Sequence, residues 1–427
     1  MHDAPFTRRL FLQRGCALAS LAATVPAFIE RSALGMLGNP LLSSQPGIPD
    51  HRILVVIQLG GGNDGLNTVV PYGDPEYFKS RPNIALQAPG GTGNSAALQL
   101  DQQLGLGLHP ALAPLKSLYD EGLVSIVQGV GYPNPNRSHF TSMDIWHTGR
   151  LDAKGSGWIG RYFDATCNGT PIPEGAVAVG RTAPLAMEGN IQKPISFESP
   201  ELFRWLGEDL HPAMKEPYDA INRAGALAGT GGDTQMDFLM RTALDAQVAS
   251  GRILAAVAKA PLVRYPETPL ARQLRTIGAM IRAEMPTRVY YATIGGFDTH
   301  GGQNARHAQL LRQVAEAIEP FQRDLKAQGN DARVVTMVFS EFGRRVKQNG
   351  SGGTDHGTAA PVFLVGPNAR PGVHGNHPSL TELDQGDLRY GVDFRSVYAS
   401  LLEDWMKAPS EAILRGKFAK PALVVPA

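Results

Sequence analysis

The run Ile53-Leu54-Val55-Val56-Ile57, closed by Gly60-Gly61-Gly62, constrains this chain most. An unbroken apolar, largely β-branched stretch has no polar face to offer water, so it reads as a strand buried on both faces, as in a parallel sheet covered by helices. Runs of the same kind recur at Val124 to Val127, Val289 to Ile294, Val334 to Phe339 and Pro361 to Val365. Between the runs at 289 and 334, Leu310, Leu311, Val314, Ile318, Phe321 and Leu325 form one apolar stripe at helical spacing over Asn304 to Gln328. Strand, helix, strand in that order is a βαβ unit, and the expected fold class is α/β.

The chain has 427 residues, of which 43% are hydrophobic, enough for a substantial core and too many for a disordered protein. Its 48 glycines and 32 prolines, without a repeat, imply many tight turns and chemistry carried on loops. A formal net charge of +1 gives no field to draw nucleic acid or an anionic membrane.

The N-terminus reads as a targeting segment. Thr7-Arg8-Arg9-Leu10-Phe11-Leu12-Gln13 is a twin-arginine signature, and the apolar stretch from Gly15 to Phe28 that follows is too short and too interrupted at Pro26 for a stable membrane span. We therefore expect a signal at 1–33, export to the periplasm or beyond with the twin-arginine translocation machinery as partner, and a linker at 34–51. The α/β domain is expected over 52–427, with Ala85 to Asp101 as an excursion from the sheet and a helical insertion at about 193–272. Without the signal only Cys167 remains, so no internal disulfide is available.

Gly60-Gly61-Gly62-Asn63-Asp64-Gly65 superficially matches a dinucleotide loop, but Thr68-Val69-Val70-Pro71 follows instead of a helix, and no acid lies between Glu76 and Asp101 to hold a ribose. The loop instead presents Asn63 and Asp64 at the carboxyl end of a strand, either as ligands or as an ordinary turn. Five of the eleven histidines fall between 300 and 377. Two of them stand beside carboxylates in glycine-rich loops after expected strands: Asp298-Thr299-His300 and Asp355-His356. Imidazole with carboxylate is a ligand set for zinc, manganese or iron, and its oxygen-rich members also suit magnesium.

Arg137-Ser138-His139-Phe140 enters a short helix, where Ser138 is either an N-cap or a nucleophile helped by the helix N-terminus, and Arg137 is placed to bind an anion. Glu341, in Ser340-Glu341-Phe342-Gly343-Arg344, is a ligand, an orienter of a histidine, or an ion-pair partner of Arg344.

Taken together, Leu59 to Gly65, Arg137 to Phe140, Phe297 to His300, Ser340 to Arg344 and Gly353 to Ala359 resemble the bacterial domain-of-unknown-function family 1501, over essentially the whole chain after the linker. That family is grouped with the alkaline phosphatase and sulfatase superfamily. The resemblance implies a three-layer sandwich, with a central mostly parallel sheet and helices on both faces. It also implies two divalent metals, and a phosphate or sulfate ester as a small anionic substrate.

Carried over by residue, Asp64 becomes the first metal-binding acid and Ser138 the nucleophile. Asp298, His300 and His374 would serve one metal, and Asp355 and His356 the other. Glu341 occupies the strand end where the superfamily places its Asp-His pair, and thirteen residues, Phe342 to Thr354, separate it from Asp355. Arg137 or Arg344 would neutralise the ester oxygens. The expected function is an exported metal-dependent hydrolase. The other reading is a non-catalytic binding or assembly protein at the cell surface on the same fold.

Overall fold

Ile53–Gly60 forms one strand, β1, at the centre of the sheet. A computed structural model describes residues 52–91, 95–167, 174–202 and 249–425, with isolated positions between 211 and 220. The expected signal at 1–33, the linker at 34–51 and most of the insertion at 193–272 lie outside the described residues. The strands after β1 are β2 (Val69–Val70), β3 (Leu98–Asp101), β4 (Leu106–Leu108), β5 (Val124–Gly131), β6 (Ala176–Val179), β7 (Ile195–Phe197), β8 (Val289–Gly295), β9 (Val334–Ser340), β10 (Ala360–Val365), β11 (Gly372–His374) and β12 (Val392–Asp393).

The main sheet runs in the order β11-β5-β10-β9-β1-β8-β6-β7, with β12 beside β5. All its pairs are parallel except those of β10, which is antiparallel to both β5 and β9. The reversal has a local cause. Between β9 and β10 the chain stays at the carboxyl end of the sheet and makes no helical crossover, so the next strand must run back. Two further boundaries differ from the sequence reading. Ile195–Phe197, placed in the insertion, is the outermost strand of the main sheet, and the excursion at 85–101 supplies part of a separate antiparallel sheet of β2, β4 and β3.

Side chains alternate across β1. Ile53, Val55, Ile57 and Leu59 face one core, packed by helices α1 (Ala113–Asp120), α4 (Pro269–Arg282) and α5 (Gln303–Ala327). Leu54 and Val56 face the other, packed by α2 (His139–Thr148), α3 (Trp158–Thr166) and α6 (Phe394–Ser400). Each such side chain stabilises the fold by roughly 1.5–3 kcal/mol relative to exposure. The result is a three-layer α/β sandwich with a mostly parallel central sheet.

The unit β8-α5-β9 is the expected βαβ crossover, and its two strands flank β1 rather than each other. Gly60 pairs with Gly295 and Leu59 with Ser340, so three chains leave the sheet at one level and their loops meet above it. Among the described residues no helix is long and apolar enough to cross a membrane.

Candidate metal centre

The loop after β1 turns on two glycines that no other residue could replace without displacement. Gly61 has φ +118°, and a Cβ there would stand 2.5 Å from the backbone nitrogen of Asp298. Gly62 has φ +71°, and its Cβ would enter the ring of Phe342 at 2.3 Å. This close approach seats Asp298 directly over the end of β1. The excursion of Phe342 to Thr354 is a ribbon: Arg345 N–H donates to Asp355 C=O at 3.0 Å and Gly357 N–H to Gly343 C=O at 2.9 Å. The ribbon returns Asp355 and His356 to the strand end they left, which is why a long insertion costs the site nothing.

Three imidazoles converge on one carboxylate oxygen. Asp298 Oδ1 lies 3.0 Å from His300 Nε2, 3.1 Å from His356 Nε2 and 3.4 Å from His139 Nε2. The Nε2 atoms of His300 and His356 are themselves 2.9 Å apart. The opposite nitrogen of each ring is engaged by an oxygen: His139 Nδ1 with Glu341 Oε1 at 2.7 Å, His356 Nδ1 with Arg137 C=O at 2.8 Å and His300 Nδ1 with Asp355 Oδ1 at 3.3 Å. A carbonyl or an ionised carboxylate can only accept, so each neutral ring carries its proton on Nδ1 and aims an Nε2 lone pair inward.

The electrostatics follow from this packing. Desolvation works to raise Asp298, but the Arg344 guanidinium outweighs it and holds its carboxyl well below the usual carboxylate range. Burial likewise works to raise Glu341, and His139, its own backbone and Gly61 N–H reverse the effect. The Glu341 contact in turn raises His139.

The residues fit a divalent metal. His139 Nε2 is buried without a hydrogen-bond partner, and lone pairs facing one another at these distances repel unless a cation lies among them. The edge of a tetrahedron with zinc–nitrogen bonds is about 3.3 Å, close to the separations here. Among the described residues His139, Asp298 and His356 form the one group whose ligand atoms all lie within 4.8 Å of one another, and His300 joins it through both Asp298 and His356.

Residues 126–411, about two thirds of the chain, match the family described as "Protein of unknown function (DUF1501)". The chain belongs to that family. No curated protein matches it. Among solved structures it is similar to Ps i-CgsB in complex with k-i-k-neocarrahexaose, at TM-score 0.36 and 11% identity over 86% of this chain and 72% of that one. It is also similar to the PsFucS1 sulfatase from Pseudoalteromonas sp., at TM-score 0.34 and 11% identity over 92% of this chain and 74% of that one.

In this DUF1501 protein the remaining sequence candidates fall in other places. Asp64 is fully buried below the cluster, paired with Arg81 at 2.6 Å and bonded by Gln303, so its charge is already matched inside the protein. His374 ends β11, three strand positions from β9 and hence about 14 Å away at the usual strand spacing, and its ring bonds Arg370 C=O at 2.9 Å. Glu341 and Asp355 stand behind His139 and His300 as orienting acceptors. The two expected metal pairs thus contribute to a single cluster.

Arg344 is buried and spent. Its Nε donates to Gly62 C=O at 2.6 Å, Nη1 to Thr354 C=O at 3.0 Å, and Nη2 to Asp298, Phe297 and Gly61. It stitches three loops together, and with its side chain 0% exposed it presents no N–H to solvent. Arg137 is held by Asp387 but stays partly exposed. Ser138 is exposed and makes no side-chain capping bond, and its N–H donates to Asn136 Oδ1 at 2.8 Å. The sequence reading missed His139 as a site residue. The available signal was its position, directly after Ser138 in the first helical turn.

Proposed function

We propose that this protein is a metal-dependent hydrolase of phosphate or sulfate esters, exported on the signal that carries Arg8 and Arg9. The observation that carries the reading is the convergence of three Nε2 lone pairs on Asp298, each ring fixed from behind by an oxygen. His139, His300, His356 and Asp298 would hold one divalent metal. An imidazole-rich set favours zinc, manganese or iron over magnesium. When bound, the metal would supply Lewis-acid stabilisation of charge on the ester oxygens.

The chain's own residues perform the rest. Ser138, uncapped and exposed at the start of α2, is the nucleophile. Its hydroxyl oxygen attacks phosphorus or sulfur as the bond to the ester oxygen breaks, and the proton lost by the hydroxyl passes to the leaving alcohol. Water then cleaves the resulting phospho- or sulfoserine, releasing phosphate or sulfate and restoring the Ser138 hydroxyl. The unpaired amides of the first turn of α2 favour negative charge at this position. Arg344 keeps Asp298 ionised, and Glu341 and Asp355 keep two rings in the binding tautomer.

Zinc, manganese and iron titrations of purified protein, followed by turnover of 4-nitrophenyl phosphate and 4-nitrophenyl sulfate, test this function. Stoichiometric metal binding with turnover that chelation abolishes is the expected result. Metal binding without turnover on either ester would instead favour a binding or assembly role.

A further inference from the structure

With Arg344 consumed inside the fold, the cluster needs another cation to hold an anion. Two stand at its rim. Arg137, in the loop before α2, donates from Nε to Asp387 Oδ2 at 2.7 Å and from Nη2 to the same oxygen. Arg345, on the ribbon, places its Nε 3.5 Å from the other oxygen, Oδ1. The Asp387 side chain is only 1% exposed, whereas those of Arg137 and Arg345 are 36% and 37% exposed. Asp387 Oδ1 is buried and makes no hydrogen bond, so the carboxylate is not saturated by its two partners.

This arrangement has an electrostatic consequence. Two guanidiniums share one buried carboxylate, which leaves positive charge facing solvent and N–H groups of Arg345 unused. Asp384, on the same turn as Asp387, is exposed, where water screens it. Both arms are anchored to the backbone that holds the imidazoles: Arg137 C=O receives His356 Nδ1, and Arg345 N–H bonds Asp355 C=O. Planar guanidinium forks match the oxygens of a sulfate or phosphate group.

We infer that Arg137 and Arg345 form a two-armed clamp for a tetrahedral oxyanion beside the imidazole cluster, with Asp387 as the residue that positions both arms. The inference rests on the hydrolase reading above and names the group that recognises its substrate. Arg345 takes the place that the sequence gave to Arg344.

Calorimetric titration of metal-free protein with inorganic sulfate and, separately, inorganic phosphate tests the clamp and tells which anion it prefers. Arg137→Met and Arg345→Met should each weaken binding about tenfold or more, the loss expected for a charge-assisted contact. Arg275→Met, at a surface pair with Glu267, should change nothing. Asp387→Asn decides its role by sign. A mere counter-charge, once neutralised, would leave anions bound more tightly, whereas a positioning residue leaves them bound more weakly, and we expect weaker binding.

Absence of anion binding by wild-type protein, or unchanged affinity in Arg345→Met, overturns the clamp. Zinc titration of the same variants should show wild-type affinity. If zinc fails to bind at all while the anion pattern holds, the metal reading falls and the clamp stands. If zinc binds while Arg345→Met has no effect on anions, the clamp alone falls.

Discussion

His139 Nδ1 lies 2.7 Å from Glu341 Oε1, and this contact joins the first turn of α2 to the end of β9. The same Oε1 accepts Gly61 N–H at 2.8 Å, so one carboxylate oxygen orients a ligand ring and fixes the loop after β1. Glu341→Gln keeps an acceptor of the same shape but removes the charge that favours the Nδ1–H tautomer. We expect zinc affinity to fall roughly 10- to 100-fold, the usual effect of losing such a partner. Isothermal titration with zinc measures it, and an unaltered affinity would show that Glu341 does not orient His139.

Gly61→Ala tests the close approach of the loops. The added Cβ would collide with the backbone of Asp298 at 2.5 Å, and the φ of +118° strains any side chain. We expect a stability loss of about 1–3 kcal/mol from the backbone alone, and loss of stoichiometric zinc binding even where the protein stays folded. Thermal melting and metal analysis of one preparation report the two effects separately.

Beneath the cluster, His307 is buried with its Nε2 2.8 Å from Asn63 Oδ1, and burial pushes it down to about 4 from an ordinary 6.5. Below pH 6.5 the unfolded chain therefore binds a proton that the native state refuses. The stability contributed by the neutral ring is complete above that pH and is lost progressively as pH falls toward 4, by on the order of 3 kcal/mol. Urea unfolding from pH 7 to pH 4 should show this slope, and His307→Gln should flatten it. His109 is pushed to about 3 by burial and adds to the same trend, so the variant should retain a residual slope.

The sequence made the scaffold legible where a run had to be buried on both faces. Ile53 to Ile57 and Val334 to Phe339 have no polar alternation, and both are central strands. Asp298, His300, Asp355 and His356 were legible as candidates because glycine-rich segments that follow such strands begin at the carboxyl end of the sheet. Asp64 was misleading because its partner Arg81 lies seventeen positions on, and nothing local announces that the pair closes in the interior. Arg344 was likewise taken for a ligand-facing residue, although it lies in the interior while its neighbour Arg345 is partly exposed. Adjacent residues in extended backbone point to opposite sides, so one enters the core and the other meets solvent, and sequence alone does not say which.

Export is a separate expectation, resting on Arg8 and Arg9. Changing both to Lys keeps the charge and removes the pair that the translocation machinery reads. We expect the variant to stay in the cytoplasm, and fractionation of cells carrying a tagged chain checks this. Undiminished periplasmic delivery would mean that the segment is not a twin-arginine signal.

The nucleophile can be tested with less ambiguity than an N-cap serine usually allows. Because the Ser138 hydroxyl makes no capping bond, Ser138→Ala should leave stability nearly unchanged rather than cost the roughly 1 kcal/mol of a lost cap. Ser142, a competing hydroxyl in the next turn, is buried and committed, donating to Glu341 C=O at 2.7 Å and lying 2.8 Å from Tyr132 OH. Ser142→Ala should therefore cost about 1–3 kcal/mol by leaving buried partners unsatisfied, and any loss of rate there would follow the loss of fold. Thr141→Ala should affect neither. Melting temperature and 4-nitrophenyl ester turnover, measured on the three variants, separate these cases. Full stability with nearly all turnover lost in Ser138→Ala alone assigns the nucleophile, whereas normal turnover in that variant removes Ser138 from the mechanism.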